Sequence, residues 1–177
     1  LLPELLAACA DNPQRALATE TIDLKTACGV LAEWDRRFNA DSRGAVLFRE
    51  WLTRYPYNET YLGRELFALP FNPAKPLTTP AGLKDAAIAL DKLAEAVALM
   101  HQAGIPLDTP LGEHQRGHRM NKIFPVHGGN RREGIANLQV STTRDSNPTE
   151  TPVFTGSDTF MGDSESLSQT GYNVVHG

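Results

Sequence analysis

The chain has 177 residues, 41% of them hydrophobic, and a formal net charge of −4. That is enough apolar material for a buried core in one globular domain or two small ones. Lys and Arg are scattered along the chain, which excludes the basic footprint of a nucleic-acid binder. The longest apolar runs fall far short of the roughly 20 residues that cross a bilayer, so no membrane span is expected.

The chain opens without Met in LLPELLAACA, already a helical pattern, with Leu2, Leu5, Leu6 and Cys9 on one stripe. A longer stripe follows, Leu24, Ala27, Cys28, Leu31, Trp34 and Phe38. Thr21 is placed to cap that helix and Asp23 to favour its N-terminal dipole. A third helix is expected after Asp41 or Ser42, carrying Ala45, Leu47, Phe48, Trp51 and Leu52 until Pro56 stops it. LPFNPAKPLTTPAG, with four prolines, reads as an extended connector lying over the helices. The next helix has Thr79 as N-cap and Pro80 in its first turn. Leu83, Ala87, Leu90, Ala94, Val97 and Met100 face inward, and Gly104 and Pro106 end it.

After Gly104 the helical period is lost. Gly, Pro, Thr, Ser and Asn dominate, and KIFPV, IANLQVST and YNVVHG read as short strands between turns. The pattern predicts an α+β chain: a helical subdomain over 1–105, then a β-rich segment over 106–177 leaning on a sheet elsewhere in a parent protein. A start inside a helix and an end at Tyr172, Val174 and Val175, inside a strand, are expected of a piece of a larger protein, any signal peptide lost with the missing part. Cys9 and Cys28 lie on apolar helix faces. They read first as buried free thiols, with a disulfide as the alternative, and do not fix the compartment.

Three places invite a chemical reading. The patch from Asp35-Arg36-Arg37 to Asp41-Ser42-Arg43 lies between two Trp-bearing stripes. It reads as a helix–helix turn whose caps and ion pairs lock Trp34 and Trp51 together. His114 and His118 in HQRGH have the spacing of one helix face, with His127 as a conceivable third ligand. An HExxH zinc hydrolase needs Glu where this chain has Gln115, and Gly112 and Gly117 disfavour the helix, so loop histidines are the better reading. FPVHGG reads as a strand running into a double-Gly turn, where His127 either touches a ligand or belongs to packing. Ser146-Asn147 sits in a turn beside Pro148. The residues assemble no catalytic set, no metal site and no cofactor site.

EWDRRFNADSRGAVLFREW (33–51), FNPAKPLTTPAGL (71–83), AGIPLDTPLGEHQ (103–115), PVHGG (125–129) and the terminal YNVVHG together resemble the later part of the β subunit of the penicillin acylase family. The similarity is to the branch with aculeacin acylase and acyl-homoserine-lactone acylases, and it follows the family's order over nearly the whole chain. From Asn130, NRREGIANLQVSTTRDSNPTE has no counterpart in it.

The resemblance implies an N-terminal-nucleophile amidohydrolase with an αββα core. In that family a precursor cleaves itself to expose a serine at the start of the β chain. That serine attacks an amide with its own α-amino group as base, while a backbone N–H and an Asn side chain hold the oxyanion. Both residues are expected upstream of Leu1, so no catalytic residue carries over to this chain.

Family members are exported to the periplasm or secreted, and several bind calcium, expected here outside this segment. The implied partners are the rest of the β chain, the α chain and a small acyl amide: an acyl-homoserine lactone, a lipopeptide or a penicillin-type substrate. The competing reading is a non-enzymatic helical interaction module, which has no use for a β-rich tail from Ile123 to Gly177.

Overall fold

A computed structural model of the chain describes residues 1–56, 65–119, 122–129, 138–139 and 175–176. Helix α1 (Leu2–Asp11) starts with a proline in its first turn and buries Leu2, Leu5 and Cys9, the stripe read from the sequence. A hairpin follows, β1 (Gln14–Ala16) against β2 (Thr21–Asp23), with Arg15 opposite Ile22.

Thr21 therefore belongs to a strand and caps nothing. In Thr21-Ile22-Asp23 only Ile22 is buried, a period of two that favours the ladder over a helix start. Asp23 keeps part of its expected role, accepting a hydrogen bond from the Lys25 backbone N–H at 2.8 Å. Helix α2 (Lys25–Glu33) then begins after Leu24.

The second stripe is buried in all six positions, yet α2 supplies only the middle of it. Trp34 is already extended, with φ −64° and ψ 131°, and Phe38 lies in the connection that follows. Asp35 accepts from the Arg37 N–H at 2.9 Å, and Arg36 takes a left-handed φ of 58°. This local turn competes with another helical turn and wins.

Helix α3 (Ala45–Thr53) starts after Gly44 rather than Asp41 or Ser42. Gly44 has φ 91°, and a Cβ there would stand 2.7 Å from Trp34 Cβ, so only glycine lets the two helix ends approach this closely. Every residue of α3 except Phe48 is buried.

Most of the proline-rich connector forms a hairpin arm, β3 (Phe67–Leu69) paired with β4 (Ala81–Leu83). Helix α4 (Ala86–Gln102) is capped by Asp85, whose side chain accepts from Ile88 N–H at 3.0 Å. Thr79 instead fastens the arm's loop, donating to the Lys75 carbonyl at 2.8 Å. Leu83 lies on β4 and Ala87 is exposed, because the helix starts later than the stripe suggested; Leu90, Ala94, Val97 and Met100 are buried as expected.

The end of α4 follows the sequence. Gly104 has φ 69°, its N–H bonds to the His101 carbonyl, and that of Ile105 to the Met100 carbonyl, the paired closure of a Schellman motif. The Trp51 indole N–H donates to the Ala89 carbonyl at 3.0 Å, tying α3 to α4.

Beyond Gly104 come the single turn α5 (Leu111–His114), a hairpin of β5 (Arg116–Arg119) with β6 (Lys122–Pro125), and a short ladder of β7 (Leu138–Gln139) with β8 (Val175–His176). KIFPV is a strand over Lys122–Pro125, and IANLQVST and YNVVHG each contribute a two-residue piece. Tyr172, Val174, Ser146, Asn147 and Pro148 lie outside the described residues. The described chain is a mixture of helices and two-stranded antiparallel ladders, in keeping with an α+β class. Ile105, Leu107, Leu111 and Val126 share the hydrophobic core of the helices.

Candidate functional site

The charged turn between α2 and α3 is a joint. Asp35 accepts from the Ser42 hydroxyl at 2.9 Å, and Ser42 Oγ accepts from the Asn39 N–H at 3.2 Å. Arg43 reaches away from the turn to Asp108, at 3.3 Å on the exposed surface. The expected Asp–Arg pairing across the turn is thus replaced by a carboxylate–hydroxyl contact and a bridge to the later chain.

Trp34 and Trp51 are both buried and meet through Phe48, whose ring centroid is 4.7 Å from Trp34 and 5.5 Å from Trp51. Phe38 stands edge-on to Trp34 at 5.5 Å. Tyr55 extends the row at 5.9 Å from Trp51. Burial, and then the Asp85 carboxylate, push its phenol well above the usual tyrosine range.

Leu111, Gly112 and Gly128 fasten onto that joint. The N–H groups of Leu111, Gly112 and Gly128 donate to the carbonyls of Ser42, Ala40 and Phe38 at 3.1, 2.7 and 2.6 Å. At Gly112 a Cβ would fall 2.7 Å from Pro125 and 3.0 Å from Ala40, so this glycine is required by close approach.

Behind the backbone contacts lies a buried polar node. Arg49 of α3 donates to Gln115 Oε1 at 2.6 Å and to the Gly128 carbonyl at 3.3 Å, with its guanidinium 5.0 Å from the Phe38 centroid. Gln115 Nε2 donates to the carbonyls of Val126 and Gly128, both at 2.8 Å. Next to Arg49, buried Glu50 pairs with Arg54, one turn further on, at 3.4 Å. Sequence reading missed this node. Its one available signal was a pair of charges, Arg49-Glu50, inside an otherwise apolar helix, where burial demands polar partners.

The histidines are not brought onto one helix face. His114 ends the four-residue α5, His118 lies in β5 opposite Ile123, and His127 is exposed in the turn after β6. Gln115, the position where a zinc hydrolase would need its general base, is the buried amide of the node. Among the described residues no three His, Cys, Asp or Glu side chains stand together as a metal cluster.

A hydroxyl–imidazole contact does occur, Thr109 Oγ1 to His114 Nε2 at 3.0 Å, but Thr109 is buried and also donates to Glu113 at 3.3 Å. Both contacts brace the turn that leads into α5. Cys9 and Cys28 form a disulfide between α1 and α2. The free-thiol reading is thereby corrected: the apolar faces that suggested two inert thiols are packed against each other, which brings the sulfurs together.

The penicillin amidase family model matches residues 1–176. Aculeacin-A acylase of Actinoplanes utahensis is 30% identical over 136 residues, covering 76% of this chain and 16% of that protein. The acyl-homoserine lactone acylase PvdQ of Pseudomonas syringae pv. tomato is 32% identical over 152 residues, covering 82% of this chain and 18% of that protein. The chain therefore spans less than a fifth of the length of these curated relatives. With a family match along almost its full length and two acylases aligned over most of it, the chain belongs to the penicillin amidase family.

Proposed function

We propose that this chain is the later part of the β subunit of an exported, self-processing acylase that hydrolyses the amide between an acyl chain and an amine. The observation that carries the reading is the family match over residues 1–176. The parent enzyme is an N-terminal-nucleophile hydrolase with an αββα core and a processed α and β chain. Its serine nucleophile and oxyanion Asn lie outside these residues. Its substrate is an acyl-homoserine lactone, a lipopeptide or a penicillin-type amide, the first two in line with the names of the aligned relatives.

Within that enzyme the role of this chain is structural. Among the described residues Arg49, Glu50, Arg54 and Gln115 are buried in its own packing, and such groups position neighbours. The helices buttress the core sheet and help shape the acyl pocket. Export gains independent support from the Cys9–Cys28 disulfide, since such bonds persist in oxidising compartments and are rare in the cytosol.

The test is to express the whole reading frame that contains these residues and sequence the mature β chain from its N-terminus. A serine exposed by cleavage, whose replacement by alanine abolishes amide hydrolysis, is the expected result. An unprocessed product without such a serine contradicts the reading.

A further inference from the structure

Helix α1 is fastened differently from its neighbours. It packs against α2 and α4 through buried Leu2, Leu5 and Cys9 and half-buried Leu6 and Ala8. Among the described residues no hydrogen bond or ion pair carries α1 across to another element. A helix of ten residues is marginal when it stands alone, so α1 depends on what it lies against.

The next elements have polar anchors of their own. In the β1–β2 hairpin, Arg15 Nη2 donates to the Ala87 carbonyl at 3.1 Å and Arg15 Nε stands 3.3 Å from Asp91, both on α4. Ile22 is buried, and the Leu24 N–H closes the hairpin on the Pro13 carbonyl at 2.7 Å. Helices α3 and α4 are joined by the Trp51 indole. For α1 the corresponding tie is covalent, the Cys9–Cys28 bond to α2.

We propose that Cys9–Cys28 is a redox-operated clasp: reduction releases α1 from α2 and α4 while the hairpin and the α3–α4 core stay folded. The reductant is a dithiol. One of its thiolates attacks a cysteine sulfur, its second thiol resolves the mixed disulfide, and two electrons and two protons pass to Cys9 and Cys28 as the dithiol closes to its own disulfide. The two cysteines are only 4% and 9% exposed, so attack waits for α1 to open, and reduction is coupled to release. Release uncovers apolar surface on α1, α2 and α4, which makes a reduced copy the better substrate for proteases that cut open forms. The clasp is a property of these residues and does not depend on the acylase reading.

Hydrogen–deuterium exchange of the full-length parent protein, read by peptide mass spectrometry before and after dithiothreitol, tests the clasp, with alkylation of the two new thiols reporting the reduced fraction. Peptides within 2–12 are expected to exchange about a hundredfold faster once reduced, the order by which losing a cross-link of this loop length shifts an opening equilibrium. Peptides within 14–23 and 86–102 are expected to change by less than about threefold, as for a separate cooperative unit. Unchanged exchange over 2–12 overturns the proposal, since packing alone then holds α1. Equal acceleration over 86–102 overturns it as well, because the bond then supports the whole core. So does a bond that the dithiol opens only after the core has unfolded. A Cys9→Ser, Cys28→Ser double variant supplies the second measurement, with fast exchange over 2–12 expected before any reductant is added. A double variant that keeps α1 protected, or that does not fold, contradicts the clasp.

Discussion

Gln115 accepts from Arg49 through its carbonyl oxygen and donates through its amide to the Val126 and Gly128 carbonyls. One side chain therefore joins α3 to the turn after β6. Leucine fills the same volume but removes three hydrogen bonds, one of them to a charge. Gln115→Leu is expected to destabilise the fold by about 2–3 kcal/mol in urea denaturation; a change within a few tenths of zero would show that the node is incidental.

Tyr55 makes a pH-dependent contribution. Its phenol titrates higher in the folded chain than when unfolded, so folding favours the neutral form. The stabilisation is complete below the unfolded value of about 10 and is lost as pH rises towards the folded one. Over that alkaline range the native state binds more protons, and stability falls with increasing pH. Tyr55→Phe is expected to reduce the alkaline slope of stability while leaving the neutral region little changed. An unaltered slope in a pH series of denaturation curves contradicts the assignment.

At the scale of elements, α3 is the central piece. It packs against α4, ends in the aromatic row and supplies Arg49. Trp34, beside Gly44 and stacked on Phe48, closes the α2–α3 joint. Trp34→Ala is expected to cost about 3–5 kcal/mol, and quenching of Trp34 fluorescence by an aqueous quencher should be weak in the folded enzyme. The α1–α2 contact is held covalently by a disulfide between residues 19 apart. Replacing both cysteines by serine is expected to lower stability by about 3 kcal/mol, the order for a loop of this length, and a reductant should lower Tm in the parent protein but not in the double variant.

Helix faces were legible where a long apolar period coincided with an actual helix, as for α1 and the inner part of α4. They misled at Thr21, Trp34 and Thr79, where a strand, an Asx-type turn and a loop hydrogen bond took the backbone that periodicity alone assigned to helix. Turns at Gly104 and before Pro56 were readable because Gly and Pro act locally. The Arg49–Gln115 node was not, because it joins residues 66 apart in sequence, and no local signal specifies such a pair.

For the whole molecule, the residues that looked chemical in the sequence divide into joint, packing and loop. The charged turn receives Leu111, Gly112 and Gly128, Gln115 belongs to the node, and His127 stands exposed. This distribution is in line with the structural role proposed above, in a chain that spans less than a fifth of the length of its acylase relatives. The family relation was legible because several short motifs recur in one order. The stretch NRREGIANLQVSTTRDSNPTE from Asn130 offered no family motif.

The most direct measurement of this account is an assay of the pure 177-residue chain beside the full processed enzyme, using fluorogenic fatty-acyl amides and long-chain acyl-homoserine lactones. The chain alone is expected to hydrolyse neither, and the processed enzyme to cleave at least one of these acyl amides. Turnover by the chain alone that survives repurification and is abolished by a substitution within these residues would contradict it.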